Sequence, residues 1–204
     1  MGHLNGKEIY RELGRKLDNM YVRTPCNDSL YQIIKALYSE PEARLIVEMP
    51  QGIVDLKTIE KTSTYSLTQI QNLLNSLISK GLIIDFSGKS KRLYTISPIV
   101  VGIFEYTMMR TRGEINPKLW SQLFNDYMMG DDAFFKANFE AGQKVSVMRT
   151  IPHSDSVAPS DFVEILDYEK ADGLIRDEKR FSVGLCSCRH EKHHLDEKKC
   201  EVPL

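Results

Sequence analysis

The chain has 204 residues, of which 42% are hydrophobic and 27% are charged. This composition is typical of a globular protein with one large or two small domains, and it excludes collagen-like, mucin-like and wholly disordered chains. Lys and Arg total 27 against 28 Asp and Glu. The formal net charge of -1 therefore predicts no global attraction to nucleic acid or to an anionic membrane.

The sequence predicts neither membrane insertion nor secretion. The longest largely apolar stretch, residues 99–109, contains Gly102 and Glu105 and is shorter than the ~20 residues of a spanning helix. Charged residues occupy the N-terminal segment MGHLNGKEIYREL, where a secretory signal has its apolar core. Cys26 stands alone and the other three cysteines are crowded near the C-terminus, which is not a disulfide framework. We expect a cytoplasmic protein with reduced thiols.

Residues 28–97 are predicted to form a winged helix-turn-helix domain, preceded by an N-terminal extension of residues 1–27. The predicted elements are, in chain order, a helix over residues 28–37, a helix after Pro41, a short strand at residues 53–54, a helix over residues 56–61 capped by Asp55, a helix from Ser66, and strands over residues 82–86 and 92–96.

The helix from Ser66 is the predicted recognition helix. Ser66 and Gln69 have the spacing of a capping box, and Lys80 with Gly81 supplies a C-terminal stop. Six apolar residues at helical spacing predict a stripe turned toward the core: Leu67, Ile70, Leu73, Leu74, Leu77 and Ile78. The two strands that follow form a hairpin with a basic tip, which is the predicted wing.

After Pro98 the sequence predicts a helical linker region over residues 98–141 and a small α+β domain over residues 142–204. The predicted elements are a buried segment over residues 99–109, a helix from Pro117, a short helix around residues 134–139, a strand over residues 145–151, a segment at residues 162–166, a helix over residues 168–176 and a strand over residues 181–185. The expected fold class is α+β and mostly helical, with a C-terminal cysteine cluster in the second domain.

Cys186, Cys188 and Cys200 are the strongest chemical signal in the chain. Thiolates so close together repel one another unless a metal ion or cluster takes up their charge. Alternation along the predicted strand places Cys186 and Cys188 on one face, and a following helix can return Cys200 to them. We therefore predict a metal site of these cysteines, with His190 and His194 as candidate nitrogen ligands.

Two kinds of centre stay open from the residues alone. Zinc would bind the three thiolates and one imidazole, from His190 or His194, although Cys-x-Cys is shorter than the gap of roughly two to four residues in structural zinc sites. An iron–sulfur cluster prefers thiolates and needs a fourth ligand besides the three cysteines.

A winged helix followed by SPIVVGIFEYTMMRTRG, MRTIPHSDSV and VGLCSCRHEKHHLDEKKCEVPL resembles the N-terminal portion of a bacterial and archaeal family of 4Fe-4S ferredoxin-like proteins. The family's Pro-Gly-Ile-Phe-Glu corresponds to residues 101–105, with Val101 in place of the proline. Its Cys-x-Cys-Arg corresponds to residues 186–189, and its Cys-x-x-Pro-Leu to residues 200–204.

The resemblance implies an iron–sulfur cofactor and a non-enzymatic redox or electron-transfer role, with zinc as the alternative metal in this chain. In the family the remaining cluster-binding cysteines follow the Pro-Leu that corresponds to Pro203 and Leu204, so we expect an N-terminal part with an incomplete ligand set. The expected partners are a redox protein or the missing ferredoxin-like region, and a second copy in a homodimer.

DNA binding is the alternative function, in which a winged-helix regulator senses metal or redox state through its cysteines. The candidate contact residues on the helix and wing are Thr68, Gln69, Gln71, Asn72, Lys89, Lys91 and Arg92. Between Asp55 and Tyr94 six basic residues stand against three acidic ones, and the recognition helix has no arginine. A scaffold role is therefore favoured over DNA contact. The residues predict no catalytic site.

Overall fold

A computed structural model describes residues 2–87, 91–110, 116–140 and 168–202, with side chains from residue 8 in the first helix and from residue 172 in the helix that begins at Tyr168. These residues are mostly helical with a three-stranded antiparallel sheet, as expected for the α+β class. The strand predicted at residues 145–151, the segment at residues 162–166 and Lys89 lie outside the described residues.

The first half of the chain contains both helices and strands, and the described part of the second half contains helices alone. In chain order they are α1 Gly2–Asp18, α2 Asp28–Leu37, α3 Glu40–Glu48, β1 Val54–Asp55, α4 Leu56–Thr62, α5 Leu67–Ser79, β2 Ile83–Ser87, β3 Arg92–Ile96, a π-helical turn Ile99–Ile103, α6 Phe104–Met108, α7 Pro117–Met129, α8 Ala133–Phe139, α9 Tyr168–Asp177 and α10 Ser187–His194. None of the described helices combines the length and the apolarity needed to cross a membrane.

Side-chain caps fix where the helices of the first half begin, as the sequence predicts. The Asp55 carboxylate accepts a hydrogen bond of 3.0 Å from the backbone N–H of Thr58 at the start of α4. At the start of α5, the Gln69 side chain accepts a hydrogen bond of 2.9 Å from the backbone N–H of Ser66. These bonds satisfy amides that have no partner within the helix.

The sheet has the order β1-β3-β2, with β3 in the middle and both pairs antiparallel. Ile83 lies opposite Ile96, and Val54 lies opposite Tyr94. Ile83, Ile96 and Tyr94 are buried, so this face of the sheet belongs to the core.

Helix α1 is part of the core, although the sequence analysis assigned no element to residues 1–27. Ile9, Leu13 and Leu17 are buried, and the helix packs against α2 and α3. The Lys16 ammonium donates hydrogen bonds to the carbonyl groups of Val47 and Met49 at the C-terminal end of α3. Burial lowers the pKa of Lys16 to about 8.

The apolar stripe of α5 faces the core except at its first position. Ile70, Leu74 and Leu77 are buried, and Leu73 and Ile78 pack partly buried against the core. Leu67 is 40% exposed, so its prediction as a core residue is wrong. It is the first residue of the helix, and the burial of the stripe begins only one turn later.

The segment over residues 99–109 is not the continuous buried helix that its composition predicts. Val101 has a φ of +59° and is 71% exposed, which interrupts the helix after its first residues. Glu105 then accepts a hydrogen bond of 2.8 Å from the backbone N–H of Gly102, which starts a new turn. Tyr106 and Met109 are also exposed.

Helix α8 ties the start of the chain to its second half. The Asn138 side chain accepts a hydrogen bond of 3.0 Å from the backbone N–H of Arg23 and donates one of 2.9 Å to the Arg23 carbonyl. The Tyr127 hydroxyl of α7 donates to the carbonyl of Pro25. Helices α7 and α8 are therefore packed against the segment between α1 and α2.

Candidate metal centre

Cys186 and Cys188 lie at the beginning of the last described helix, α10, and Cys200 lies in the chain after its end. Cys186 is the N-cap residue of α10, with extended backbone angles of φ −69° and ψ 114°. Its carbonyl accepts a hydrogen bond of 2.9 Å from the backbone N–H of His190. The last turn contains Lys192, His193 and His194, and positive charge there is favourable beside the negative end of the helix dipole.

The sulfur atoms of Cys186 and Cys188 are 3.4 Å apart. The two thiols therefore lie together, but the strand predicted at residues 181–185 is wrong. This stretch has no strand pairing, and Phe181 and Val183 are exposed. The sulfurs approach each other because an N-cap residue and a residue of the first helical turn project to the same helix end.

Arg189 connects the third cysteine with this pair. Its interaction with the side chain of Cys200, and then the charges of the three cysteines, raise the pKa of the Arg189 guanidinium. Arg189 is not among the site residues predicted from the sequence. The sequence signal that could have identified it is its position as a cation directly after Cys-x-Cys.

The three thiols have different acidities. A hydrogen bond from the backbone N–H of Arg189, followed by one from Cys188, lowers the pKa of Cys186. The hydrogen bond with Cys186 raises the pKa of Cys188, so Cys188 stays protonated to a higher pH. A backbone hydrogen bond from Val202, and then the Arg189 guanidinium, lowers the pKa of Cys200. The helix end and Arg189 therefore favour thiolates at two of the three positions.

The imidazoles occupy a neighbouring part of α10. The buried His190 ring places Nδ1 2.7 Å from the carbonyl oxygen of Met108. A carbonyl oxygen only accepts, so Nδ1 carries the proton and Nε2 keeps its lone pair. The His194 ring lies edge-on to His190 and to His193, at centroid distances of 4.9 and 5.2 Å. Burial, followed by the neighbouring His190 and His193, lowers the pKa of His194.

The predicted ligands are not assembled into a closed metal site. Within the described ranges, no group of three or more His, Cys, Asp or Glu side chains is arranged to hold a metal ion. The structure brings Cys186 and Cys188 together, and Arg189 interacts with Cys200 and with this pair. The imidazole rings of His190 and His194 pack edge to face.

Helix α10 is anchored to α6 and α7, and this positions the cysteines. In addition to the bond between His190 and Met108, the Lys192 ammonium donates a hydrogen bond of 2.9 Å to the Asn125 side chain of α7. Glu191 is buried in the same contact region, and burial raises its pKa. The backbone N–H of Leu185, directly before Cys186, also donates a hydrogen bond of 3.2 Å to the carbonyl of Met109, so contacts on both sides of Cys186 and Cys188 hold this end of the helix in place.

The candidate DNA-contact residues lie on a different surface. Thr68, Gln69, Gln71 and Asn72 are exposed on α5, and the carbonyl of the Gln69 side chain is occupied by the capping box. Lys91 lies 3.7 Å from the Asp55 carboxylate, and Arg92 lies 2.7 Å from that of Asp85. Two of the predicted wing cations are therefore paired with acidic side chains.

Comparisons with models of protein families, with curated proteins and with solved structures find no significant match to this chain.

Proposed function

We propose that the protein is a non-enzymatic redox protein whose cysteines Cys186, Cys188 and Cys200 ligate an iron–sulfur centre, with zinc as the competing occupant. The observation that carries this proposal is the approach of two thiols to 3.4 Å at a helix N-terminus beside Arg189, which also contacts the third thiol. Such crowding favours a shared positive centre.

The donor set fits three ligand positions of either centre. Two sulfurs bound at about 2.3 Å to one tetrahedral ion lie about 3.8 Å apart, close to the 3.4 Å between Cys186 and Cys188. A four-iron cluster takes one thiolate for each iron, so these two side chains would have to separate. In both cases Cys200 must move toward the pair, and a fourth ligand must come from outside the three cysteines.

The chain's own residues would hold and tune such a centre. A bound cluster supplies one-electron chemistry. The Arg189 cation offsets part of the thiolate charge, and backbone N–H groups at the start of α10 hydrogen-bond the Cys186 sulfur. Hydrogen bonds and positive charge near cluster sulfurs favour the reduced state.

Anaerobic reconstitution of the full chain with ferrous iron and sulfide tests this proposal. We expect visible absorption with bound iron and sulfide in the unchanged chain, and a loss of both in Cys186→Ser, Cys188→Ser and Cys200→Ser. Cys26→Ser is the matched control and should retain the centre, because Cys26 lies beside Gly14 of α1. Equal iron incorporation in a variant lacking all three C-terminal cysteines would contradict the proposal.

Zinc titration of the same variants separates the two metals. If zinc binds tightly through the three cysteines and no cluster forms, the site is a zinc site and the redox role fails. Stable cluster formation also implies a partner, since the electrons come from another molecule. We propose a redox protein for this role and a cytoplasmic location, where thiols stay reduced.

For residues 28–97 we propose a winged helix that acts as a scaffold. Three features support it: the order of helices and strands from α2 to β3, the sheet order β1-β3-β2, and the capped helix α5 before the hairpin. The alternative is a DNA-binding regulator, favoured by the exposed polar side chains of α5. The ion pairs of Lys91 and Arg92 with Asp55 and Asp85 oppose phosphate binding.

A further inference from the structure

We propose that Cys186 and Cys188 form a reversible disulfide in the metal-free chain and that this bond closes the metal site. Formation of the disulfide depends only on the two thiols and not on the proposed function. Its consequence, loss of metal binding on oxidation, rests on the proposed function of the site.

The backbone places the two sulfurs within reach of a bond. Residues two apart at a helix end have Cα atoms about 5–7 Å apart, which overlaps the range of roughly 4.4–6.8 Å found in disulfides. The sulfurs are already 3.4 Å apart. Because Cys186 precedes the helix with extended backbone angles, small rotations of the two side chains can close the remaining distance.

The pair is also accessible to a small oxidant. Cys188 is exposed and Cys186 is half-buried. The adjacent Arg189 cation favours the approach of an anionic oxidant. Glutathione disulfide, a low-molecular-weight disulfide, is an anionic oxidant of this kind.

The reaction is an ordinary thiol–disulfide exchange. One protein thiolate attacks a sulfur of glutathione disulfide, the S–S bond of the oxidant breaks, and the first glutathione leaves as a thiolate that takes up a proton. The second protein thiolate then attacks the mixed disulfide and releases the second glutathione. The protein loses two electrons and two protons, and the oxidant becomes two thiols.

The disulfide and the metal exclude each other. A sulfur in a disulfide has no thiolate charge to donate, so oxidation removes two of the three cysteine ligands. Cys188 is exposed, and exposed disulfides have the more oxidising potentials at which thiols reduce them. Thiol reductants should therefore reopen the site readily.

The first experiment uses the full chain after removal of metal with a chelator and reduction of its thiols. It is incubated with glutathione disulfide, its remaining thiols are alkylated, and it is denatured and digested with trypsin. Cleavage after Arg180 and Arg189 gives a peptide of residues 181–189 that carries both cysteines, while Cys200 lies on another peptide. We expect this peptide to be unalkylated and lighter by two hydrogens than its reduced form.

Two variants define the partners of the bond. Cys200→Ser should still give the oxidised peptide, whereas Cys188→Ser should leave Cys186 alkylated or joined to glutathione. A cross-link between the peptide of residues 181–189 and Cys200 would overturn the assignment, as would alkylation of both cysteines in the unchanged chain.

The second experiment loads the chain with zinc before oxidation. We expect protection of both thiols in the loaded chain and loss of zinc uptake in the oxidised chain, with uptake restored by dithiothreitol. Oxidation at the same rate with and without bound zinc would overturn the mutual exclusion. A disulfide in a chain that takes up neither zinc nor iron would support the bond and contradict the proposed function.

Discussion

The Lys80 ammonium lies 2.7 Å from Oε2 of Glu42, so that an ion pair joins the C-terminal end of α5 to the first turn of α3. Glu42 is 2% exposed. Its carboxylate also accepts hydrogen bonds from the Ser39 and Ser76 hydroxyl groups and from the Ser39 backbone N–H. A buried carboxylate with this many donors stabilises the packing of the two helices only while it is charged.

Removing the cation should therefore destabilise the fold. Lys80→Met leaves Glu42 buried without its charged partner, and we expect the free energy of unfolding in urea to fall by about 3 kcal/mol. Lys91→Met is the matched control, since its pair with Asp55 is exposed, and should change stability by less than about 0.5 kcal/mol. Equal changes in the free energy of unfolding in the two variants would show that the buried pair contributes no more to stability than the exposed pair.

The same carboxylate predicts how stability depends on pH. Burial raises the pKa of Glu42, but the hydrogen bonds from Lys80, Ser76 and Ser39 outweigh burial and hold the pKa below its usual 4.5. The contribution of Glu42 is complete above the pKa of the unfolded chain. As the pH falls through the folded-state pKa, the unfolded chain holds more protons, and this stabilisation is lost.

Urea unfolding of the unchanged chain and of Glu42→Gln, measured between about pH 7 and pH 3, tests this dependence. The difference in unfolding free energy between them should be largest near neutral pH and should shrink on acidification below about pH 5. A difference that stays constant over this range would mean that another group carries the acid sensitivity.

Helix α5 offers a comparison of two leucines seven residues apart. Leu74 is 2% exposed and Leu67 is 40% exposed. We expect Leu74→Ala to cost about 2–5 kcal/mol, as for other large-to-small changes in a packed core, and Leu67→Ala to cost less than about 0.5 kcal/mol. Thermal and urea unfolding measure both, and the reverse order would mean that the other face of the helix is buried.

Val101 carries backbone strain that a single substitution relieves. A β-branched residue with a φ of +59° is unfavourable, and its side chain is 71% exposed, so it contributes little to packing. Val101→Gly should raise the unfolding free energy by about 1 kcal/mol. The neighbouring Val100, with a φ of −115°, is the control, because the same change there should destabilise. A loss of stability in Val101→Gly would show that the backbone at Val101 carries no strain that glycine relieves.

Binding to duplex DNA tests the alternative function of the first half. We expect weak binding at physiological salt, and the combined change of Lys89, Lys91 and Arg92 to Ala should flatten its salt dependence by up to about three units of slope. Asp85→Asn releases Arg92 from its ion pair and should strengthen non-specific binding. Tight binding to one sequence at physiological salt would show that the scaffold proposal is wrong.

Local chemistry made much of the first half predictable. Caps such as Asp55 and the Ser66–Gln69 pair act within three residues, so the sequence alone locates the helices that they begin. The strand over residues 181–185 was wrong because its apolar residues alternate without pairing to any strand among the described residues, and alternation stabilises a strand only when another strand pairs with it.

The candidate site was predictable in its residues but not in its geometry. The spacing of Cys186 and Cys188 brings their sulfurs together on a strand and equally at a helix end, so the correct pair followed from an incorrect element. The bond of His190 to Met108 and the contact of Arg189 with Cys200 depend on how α10 docks and on the path of the chain after it. Neither leaves a local trace in the sequence.

The bonds between Asn138 and Arg23 also have a consequence for synthesis on the ribosome. Their partners are 115 residues apart, so at about 5–20 residues per second roughly 6–23 s pass between the appearance of Arg23 and that of Asn138. Helices α1, α2 and α3 can pack together early in that interval. The surface of α2 that α7 covers stays exposed to solvent until α7 has emerged from the ribosome. The nascent chain therefore exposes this surface of α2 until the residues of α7 have been synthesised.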